Sequence, residues 1–336
     1  MKRWQLWVGF GVSLFFLYWA FGQVSSLGEV MEALRRANYA YLVPALGIYF
    51  LGVWFRAVRW HYLLAPVKRI PFGRLFPIVV IGYMANDVLP ARMGELVRAY
   101  VMGEKELVSR TSSLTTIAIE RIFDGMTLLF LAAAVSFFVP FGQGLQDIVK
   151  LGSAAFLGAL ALVLLLALWP PLMAAILDVV LKFLPIKVRP EVERMATSFV
   201  DGLQVMRQAR LVILAVVFSA LAWLSEAAMY YLIAVGFGLG QPFYVLLLTT
   251  VVANLGTLVP SSPGYIGTFE ALAVFTLGLF GVGADLAMSY TIVLHVALLV
   301  PVTLLGFGYL WQHHISLSAI GRAGALGSAL SKENRG

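Results

Sequence analysis

Apolar residues run along most of this chain in stretches of about 20 positions, separated by short polar interruptions. A helix needs a stretch of this length to cross the hydrocarbon core of a bilayer. The pattern predicts an all-α polytopic membrane protein. Its six full transmembrane helices are expected at about residues 4–22, 41–63, 111–139, 151–171, 211–238 and 285–311.

Two further segments carry apolar residues on one helical face only. In residues 27–38 that face holds Leu27, Val30 and Leu34, and residues 189–209 repeat the pattern with charged residues on the other side. Both predict amphipathic helices that lie on the membrane surface. The second is expected on the cytoplasmic side, in a structural role.

Two other apolar stretches, residues 75–105 and 243–281, are interrupted near their middle by proline and glycine. Proline removes a backbone donor and clashes with the preceding turn, so a continuous helix is not expected there. Broken backbone at membrane depth is tolerated only where it is buried in protein or lines a wet cavity. We therefore expect two re-entrant helical hairpins.

Composition supports a membrane protein and excludes several chemistries. Hydrophobic residues make up 61% of the chain and charged residues 12%, whereas soluble domains carry about 25% charged residues. The absence of cysteine excludes disulfides, structural thiolate zinc and iron–sulfur ligation. Nucleophile-elbow, zinc-protease and phosphate-loop motifs are missing, and basic residues are not interleaved with aromatics as in nucleic-acid-binding proteins. No cofactor is expected.

Basic residues concentrate in alternate connections, which predicts the topology. Lys68, Arg69 and Arg74 follow the second span, and a second basic group lies between the fourth and fifth spans. By the positive-inside rule both termini are cytoplasmic, in a multi-pass protein of the cell membrane. Residues 1–320 form one transmembrane domain, and residues 321–336 are expected to be a disordered cytoplasmic tail.

With this topology the two hairpins enter from opposite sides of the membrane. Residues 41–139 and 211–311 then form two units of opposite orientation, each with a span, a hairpin and a span. Inverted repeats with broken helices at corresponding positions are typical of transporters that bind their substrate near the midplane.

The strongest candidate chemistry is a set of charges within the third predicted span. Glu120 and Asp124 are four positions apart and share a helical face, and Arg121 and Asp124 are three positions apart. Each charge is costly in a membrane, so each needs a reason to be there. One interpretation is an ion-pair network that locks this span to the first hairpin, and the other is a lining of the transport pathway. The two are compatible.

The first hairpin contributes Arg92, Glu95 and Arg98 just after its break. Two guanidiniums beside the N-terminus of a half-helix predict an anion site suited to a phosphate. The alternatives are that Glu95 pairs with both arginines or that Arg98 extends to the lipid head groups.

The second hairpin has no basic residue, so its candidate site consists of backbone amides. Gly264, Gly267 and Thr268 are expected to present amide groups to a phosphate. Glu270 is either part of that site or a partner of the half-helix N-terminus. Asn86 and Asn254 occupy corresponding places before the two breaks, and both are candidate head-group ligands.

Glu226 and His295 are ionisable residues within predicted spans, and both are candidates for proton coupling. Glu226 has no basic residue nearby in sequence, so it is expected to be protonated or paired with an arginine across the bundle. The alternative for His295 is an interior histidine held by hydrogen bonds.

These motifs resemble a known family, the flippase-like membrane family, also called the lysylphosphatidylglycerol synthase transmembrane region family. The resemblance covers nearly the whole chain. It is carried by three motifs in order: Asn86-x-x-x-Pro90-x-Arg92-x-Gly94-Glu95-x-x-Arg98, Glu120-Arg121-x-x-Asp124, and Pro263-Gly264-x-x-Gly267-x-x-Glu270.

The resemblance implies a stand-alone translocation module without a synthase domain. Its partner would be a phospholipid or a polyprenyl-phosphate lipid, and any lipid-modifying synthase would be a separate chain. The leading hypothesis is therefore a lipid translocase, not an enzyme, that moves an anionic or phosphate-bearing head group by alternating access. The alternatives are an intramembrane enzyme that acts on a lipid-linked substrate and a membrane scaffold that recruits a partner through residues 172–210.

Overall fold

The computed structural model describes residues 3–89, 93–136, 138, 143–182, 188–259 and 261–312. These residues form thirteen α-helices and no strand. The helices are α1 Arg3–Gly22, α2 Leu27–Arg36, α3 Leu42–Leu64, α4 Phe72–Val88, α5 Gly94–Glu106, α6 Arg110–Val135, α7 Gln143–Leu168, α8 Pro170–Lys182, α9 Arg189–Leu203, α10 Ala209–Gly236, α11 Phe243–Gly256, α12 Thr268–Gly278 and α13 Ala284–Gln312.

Both proline- and glycine-rich interruptions break their helices where the sequence predicts. Hairpin one consists of α4 and α5, and hairpin two consists of α11 and α12; the two helices of each pack against each other. The break in hairpin two contains Gly264 and Gly267 with φ of 69° and 95°. Glycine adopts such angles without the steric cost that a Cβ brings.

The membrane spans are confirmed in part. By length and composition three described helices could cross a bilayer, α3 together with the turn before it, α10 and α13, and up to five spans result if each bent pair counts as one. The α6 helix, predicted as the third span, is absent from this set because it carries Glu120, Arg121 and Asp124. Six crossings therefore remain a prediction.

The two bent pairs differ in how well they match expectation. The Gly9–Gly22 segment of α1 and the α2 helix meet at 86°, which agrees with a span followed by a surface helix. The predicted fourth span at 151–171 lies in α7, and the chain then turns by 98° into α8, between Leu157–Leu168 and Pro171–Val179. The two prolines that begin α8 explain the bend, since proline cannot continue a helix.

The centre of the fold is the long contact between α3 and α10. A Cβ added to Gly52 on α3 would lie 3.1 Å from Ser225 Cβ and 3.3 Å from the Ala222 carbonyl oxygen on α10. Small residues at this crossing allow the two backbones to approach closely, as is common between membrane helices.

The remaining helices are arranged around this pair in matching contacts. The α4 helix packs on α13, and α11 packs on α6; α5 packs on α6, and α12 packs on α13. Large apolar side chains such as Leu14, Phe130 and Leu304 remain exposed on the outside, 65%, 72% and 65% respectively. Such a surface suits a lipid environment.

Candidate functional site

Five charged side chains form a buried network between α3, α5 and α6. Arg98 donates from its two terminal nitrogens to the two oxygens of Glu120, both at 3.0 Å. Arg59 lies 2.5 Å from Asp124 and 3.0 Å from Glu120. Arg121 Nη2 lies 2.8 Å from Glu120 and 3.5 Å from Asp124. Glu120 therefore forms ion pairs with three arginines and accepts hydrogen bonds from two of them, Arg98 and Arg121. Hairpin one is thus tied to α6, as the ion-pair interpretation predicts.

Neutral side chains complete the network. Arg59 donates to Ser219 Oγ at 2.8 Å, and Trp223 Nε1 donates to Asp124 at 3.0 Å. The guanidinium of Arg98 lies 4.1 Å from the centre of the Trp60 ring, a cation–π contact. Because Ser219 and Trp223 lie on α10, the network also joins the two units.

A second buried ion pair spans the central helices. Arg56 Nη2 on α3 lies 2.6 Å from Glu226 on α10, and Asn254 on α11 donates to the other oxygen of Glu226 at 2.8 Å. Arg56 also lies 4.9 Å from the Trp223 ring centre. The prediction that Glu226 is paired with an arginine across the bundle is confirmed.

These two clusters contain more arginines than carboxylates. Among the described residues the two clusters contain four arginines and three carboxylates: Arg56, Arg59, Arg98 and Arg121 with Glu120, Asp124 and Glu226. One guanidinium charge in this set is not matched by a carboxylate of the set. Asp87 and Glu95 line an adjoining cavity, so the described arginines of the region as a whole do not outnumber its carboxylates.

A cavity of about 360 Å³ lies beside these clusters, where the tips of the two hairpins meet. Its polar wall consists of residues from both units, and leucine, valine and phenylalanine side chains complete the lining. The polar and charged lining residues are Tyr49, Arg56, Tyr83, Asn86, Asp87, Glu95, Arg121, Asp124, Trp223, Glu226, Asn254, Thr257, Tyr265 and His295.

Seven of the fourteen predicted site residues line this cavity: Asn86, Glu95, Arg121, Asp124, Asn254, Glu226 and His295. The others that the structure describes lie behind the cavity wall. Arg98 and Glu120 belong to the buried network. Gly264 lies in the turn before α12, and Gly267, Thr268 and Glu270 form the start of α12. Arg92 lies outside the described residues.

The tip of hairpin one is held by side-chain contacts across its break. Asn86 Oδ1, at the end of α4, accepts from the backbone N–H of Gly94 at 2.7 Å. Its neighbour Asp87 accepts from the hydroxyl of Thr303 on α13 at 2.8 Å. Hairpin one is thereby fixed to the opposite unit.

The start of α12 is arranged differently from the predicted amide site. The Gly267 N–H donates to Glu270 Oε2 at 2.7 Å, which confirms the interpretation of Glu270 as a partner of the helix N-terminus. A Cβ added to Gly267 would collide with the Ser13 carbonyl of α1, so this glycine faces α1. His295 is an interior histidine with contacts to Glu270 Oε1 at 2.6 Å and to the Gly264 carbonyl at 2.8 Å.

Sequence reasoning missed three charged residues of this region. Arg56 and Arg59 lie within the predicted span 41–63, and Asp87 follows Asn86 in the first motif. Two arginines three positions apart within an apolar span were a visible signal, because such charges are expensive in a membrane. Their partners were not visible, since the carboxylates lie 65 and 170 positions further along the chain.

Comparison with known proteins identifies a matching family model and several similar membrane proteins. A family model described as the lysylphosphatidylglycerol synthase TM region matches residues 6–306. A UPF0104 membrane protein of Methanothermobacter thermautotrophicus is 25% identical over 79% of this chain and 83% of its own length. Glycosyltransferase AglD of Haloferax volcanii is 33% identical over 36% of this chain, a match that covers 19% of that protein.

The family match covers most of the chain and includes every motif described above. The relatives that match along most of their own length are membrane proteins of the same kind. The chain belongs to the lysylphosphatidylglycerol synthase transmembrane region (UPF0104) family.

Proposed function

We propose that this protein is a lipid translocase that moves a phosphate-bearing head group between the leaflets of the cell membrane. The observation that carries the proposal is the cavity of about 360 Å³ between two broken helices, with the guanidiniums of Arg56 and Arg121 in its wall. Ligand sites in proteins commonly enclose about 300–1,000 Å³. The head group would enter this cavity while the acyl or polyprenyl chains remain in lipid.

Arg121 is the proposed phosphate ligand. Its side chain is 34% exposed and lines the cavity. Its contacts with Glu120 and Asp124 use Nη2, and a guanidinium has five N–H donors. The remaining donors can bind phosphate oxygens while the two carboxylates hold the group in place.

Arg56 would be the second phosphate contact, since it lines the same cavity from α3. Asp87 and Glu95 line it from hairpin one and would repel a phosphate that moved toward them. The head-group phosphate is therefore expected on the side of α3 and α6, with hydroxyl or ammonium groups on the side of hairpin one. Arg98 and Glu120 position Arg121.

Alternating access is supported by the packing of the two units, α3–α6 and α10–α13. If α3 corresponds to α10, α4 to α11, α5 to α12 and α6 to α13, each contact has a counterpart: α4 with α13 and α11 with α6, α5 with α6 and α12 with α13. These paired contacts support our proposal that the two units are an inverted repeat. The hairpins would be re-entrant from opposite sides, with both termini cytoplasmic, and rocking of one unit against the other would expose the cavity to each leaflet in turn.

The test is leaflet exchange of labelled lipids in proteoliposomes. The lipid panel contains anionic, zwitterionic, aminoacylated and polyprenyl-phosphate lipids, with the wild type beside Arg121→Gln. The matched control is Arg110→Gln on the same helix, because Arg110 forms an exposed pair with Glu104, and such pairs contribute little to stability. We expect selective exchange in the wild type and in the control, and loss of exchange in Arg121→Gln.

The same experiment separates the proposal from the enzymatic alternative. Translocation leaves the lipid chemically unchanged in the other leaflet, whereas an intramembrane enzyme leaves an altered lipid that mass spectrometry detects. Absence of exchange for every lipid, with or without a proton gradient, would contradict the translocase proposal. Equal exchange by the wild type and Arg121→Gln would contradict the assignment of the site.

A further inference from the structure

Both ring nitrogens of His295 face oxygen atoms that accept hydrogen bonds. Nδ1 lies 2.6 Å from Glu270 Oε1, and Nε2 lies 2.8 Å from the backbone carbonyl oxygen of Gly264. His295 and Glu270 are 5% and 8% exposed. A neutral imidazole has one N–H donor and one acceptor nitrogen, so it can donate to only one of the two oxygens.

This geometry fixes the number of protons on the pair. The Gly264 carbonyl can only accept, so Nε2 must carry a proton. A second proton is then required between Nδ1 and Glu270 Oε1, because two lone pairs at this separation of 2.6 Å would repel each other. Whether that proton is on the ring or on the carboxyl group, the pair is net neutral when it is present and carries one negative charge when it has left.

The pair holds an unusual piece of backbone in place. The segment between α11 and α12 contains Gly264, Tyr265 and Gly267 with φ of 69°, 59° and 95°. Tyr265 is not a glycine, and a positive φ in such a residue is strained. His295 holds this segment at the Gly264 carbonyl, and Glu270 holds it at the Gly267 N–H, 2.7 Å away.

The held segment closes one side of the cavity. Tyr265 and His295 line it, and Phe269 stacks on the His295 ring with 4.3 Å between ring centres. The Gly264 backbone also approaches the tip of hairpin one, since a Cβ added there would lie 3.5 Å from the Asp87 carbonyl oxygen. A movement of this segment would therefore separate the two hairpin tips.

The charged groups around the pair favour its protonated, neutral form. Within the described structure, the cavity beside the pair is lined by the carboxylates of Asp87, Glu95, Asp124 and Glu226 and by the guanidiniums of Arg56 and Arg121. Arg56 on α3 neutralises Glu226, and α11 contributes the neutral Asn254. The nearest titratable hydroxyls are Tyr265 in the held segment and Tyr230, whose ring is 6.3 Å from Phe269. In the part of the chain that the structure describes, no guanidinium or ammonium group contacts the pair.

We propose that His295 and Glu270 form a proton-dependent clasp on the tip of hairpin two. When the shared proton is bound, the clasp holds the Gly264–Gly267 segment against the cavity. When the proton leaves, the pair becomes negatively charged, the Nδ1–Oε1 contact turns repulsive, and the segment is released. The clasp goes beyond the proposed translocation, and its existence can be tested without any transport measurement.

The first test is the protonation state of His295. The full chain is labelled with ¹⁵N-histidine, placed in nanodiscs and examined by NMR over a series of pH values. The chain has four histidines, and the spectrum of His295→Gln identifies the signal of interest. We expect two protonated ring nitrogens, or one strongly shared proton, at low pH and loss of that proton as the pH rises.

The second test measures the opening of the segment. The chain has no cysteine, so Thr268→Cys introduces a single thiol at a position that is 1% exposed, directly after the clasped segment. The matched background is Glu270→Gln, in which the amide oxygen can accept from the Gly267 N–H while the amide nitrogen donates to His295 Nδ1. This variant keeps both contacts with a neutral His295 and removes the carboxylate charge.

The rate of maleimide labelling of the introduced thiol is compared between the native background and Glu270→Gln at each pH. This comparison removes the effect that ionisation of the thiol itself has on the rate. Above the pH at which the shared proton is lost, we expect labelling to become faster in the native background than in Glu270→Gln. The ratio of the two labelling rates should rise about tenfold per pH unit until the segment is fully open. A constant ratio, together with a His295 ring that keeps one neutral form at every pH, would overturn the proposal. The NMR result stands by itself if Glu270→Gln fails to fold.

Discussion

Arg98 and Glu120 form a two-point ion pair, with both terminal nitrogens of the arginine 3.0 Å from the two oxygens of the carboxylate. One of those oxygens, Oε1, also accepts from Arg121 at 2.8 Å. The buried pair of Arg98 and Glu120 therefore fixes the position of Arg121, the arginine that lines the cavity. Removal of Arg98 and removal of Arg121 are expected to have different consequences.

Arg98→Gln is expected to lower stability more than Arg121→Gln. Breaking a buried ion pair by removal of one partner typically costs about 3–5 kcal/mol, although the remaining contacts of Glu120 with Arg59 and Arg121 place this variant near the lower end. Arg121 is partly exposed, so its loss leaves less uncompensated charge in the interior. Thermal unfolding of both variants in the same detergent checks the order, and the reverse order would contradict the assignment of Arg98 to positioning.

The pair of Arg56 and Glu226 predicts a non-additive double-mutant cycle. Arg56→Met and Glu226→Met should each be strongly destabilising, because each leaves a buried charge without its partner. The double variant removes both charges, and such replacements are often close to neutral. Unfolding midpoints of the wild type, the two single variants and the double variant give the coupling energy. Additive losses would show that the pair does not interact in the membrane.

Gly94→Ala is expected to disrupt hairpin one. A Cβ at this position would collide with the carbonyl oxygen of Gly82 and with the side chain of Asn86, and the backbone atom cannot move aside cheaply. The control is Gly47→Ala in α3, where nothing lies within 4 Å of the added Cβ. There alanine should stabilise the helix by up to about 1 kcal/mol. Unfolding midpoints that move in opposite directions would confirm the close approach.

Asp285 is expected to hold the bend between α1 and α2. Its Oδ1 accepts from the backbone N–H groups of Ser25 and Ser26 at 2.9 and 3.0 Å. Hydrogen bonds to a charged group contribute about 1.5–3 kcal/mol when buried, and less at this partly exposed site. Asp285→Ala should raise amide exchange at Ser25 and Ser26, while Asp285→Asn, which keeps an acceptor oxygen, should raise it less. Unchanged exchange in Asp285→Ala would contradict this role.

The sequence predicts the site residues of hairpin one better than those of hairpin two. Asn86 and Glu95 of hairpin one line the cavity as candidates for the head-group site. The amides of Gly264, Gly267 and Thr268 were expected there too, but the Gly267 N–H is used by Glu270 and its Cα faces α1. Nothing in the local sequence shows that Ser13, which lies near the other end of the chain, occupies that side.

Local chemistry along the chain is sufficient to predict the helices and the positions of their breaks, since apolar runs favour spanning helices and proline with glycine interrupts them. The partner of each buried charge, in contrast, depends on how the helices pack. Arg56 pairs with Glu226 across 170 positions, and Arg59 with Asp124 across 65. In a low-dielectric interior each charge must find an opposite partner, and helix packing, not sequence spacing, determines which partner lies within reach.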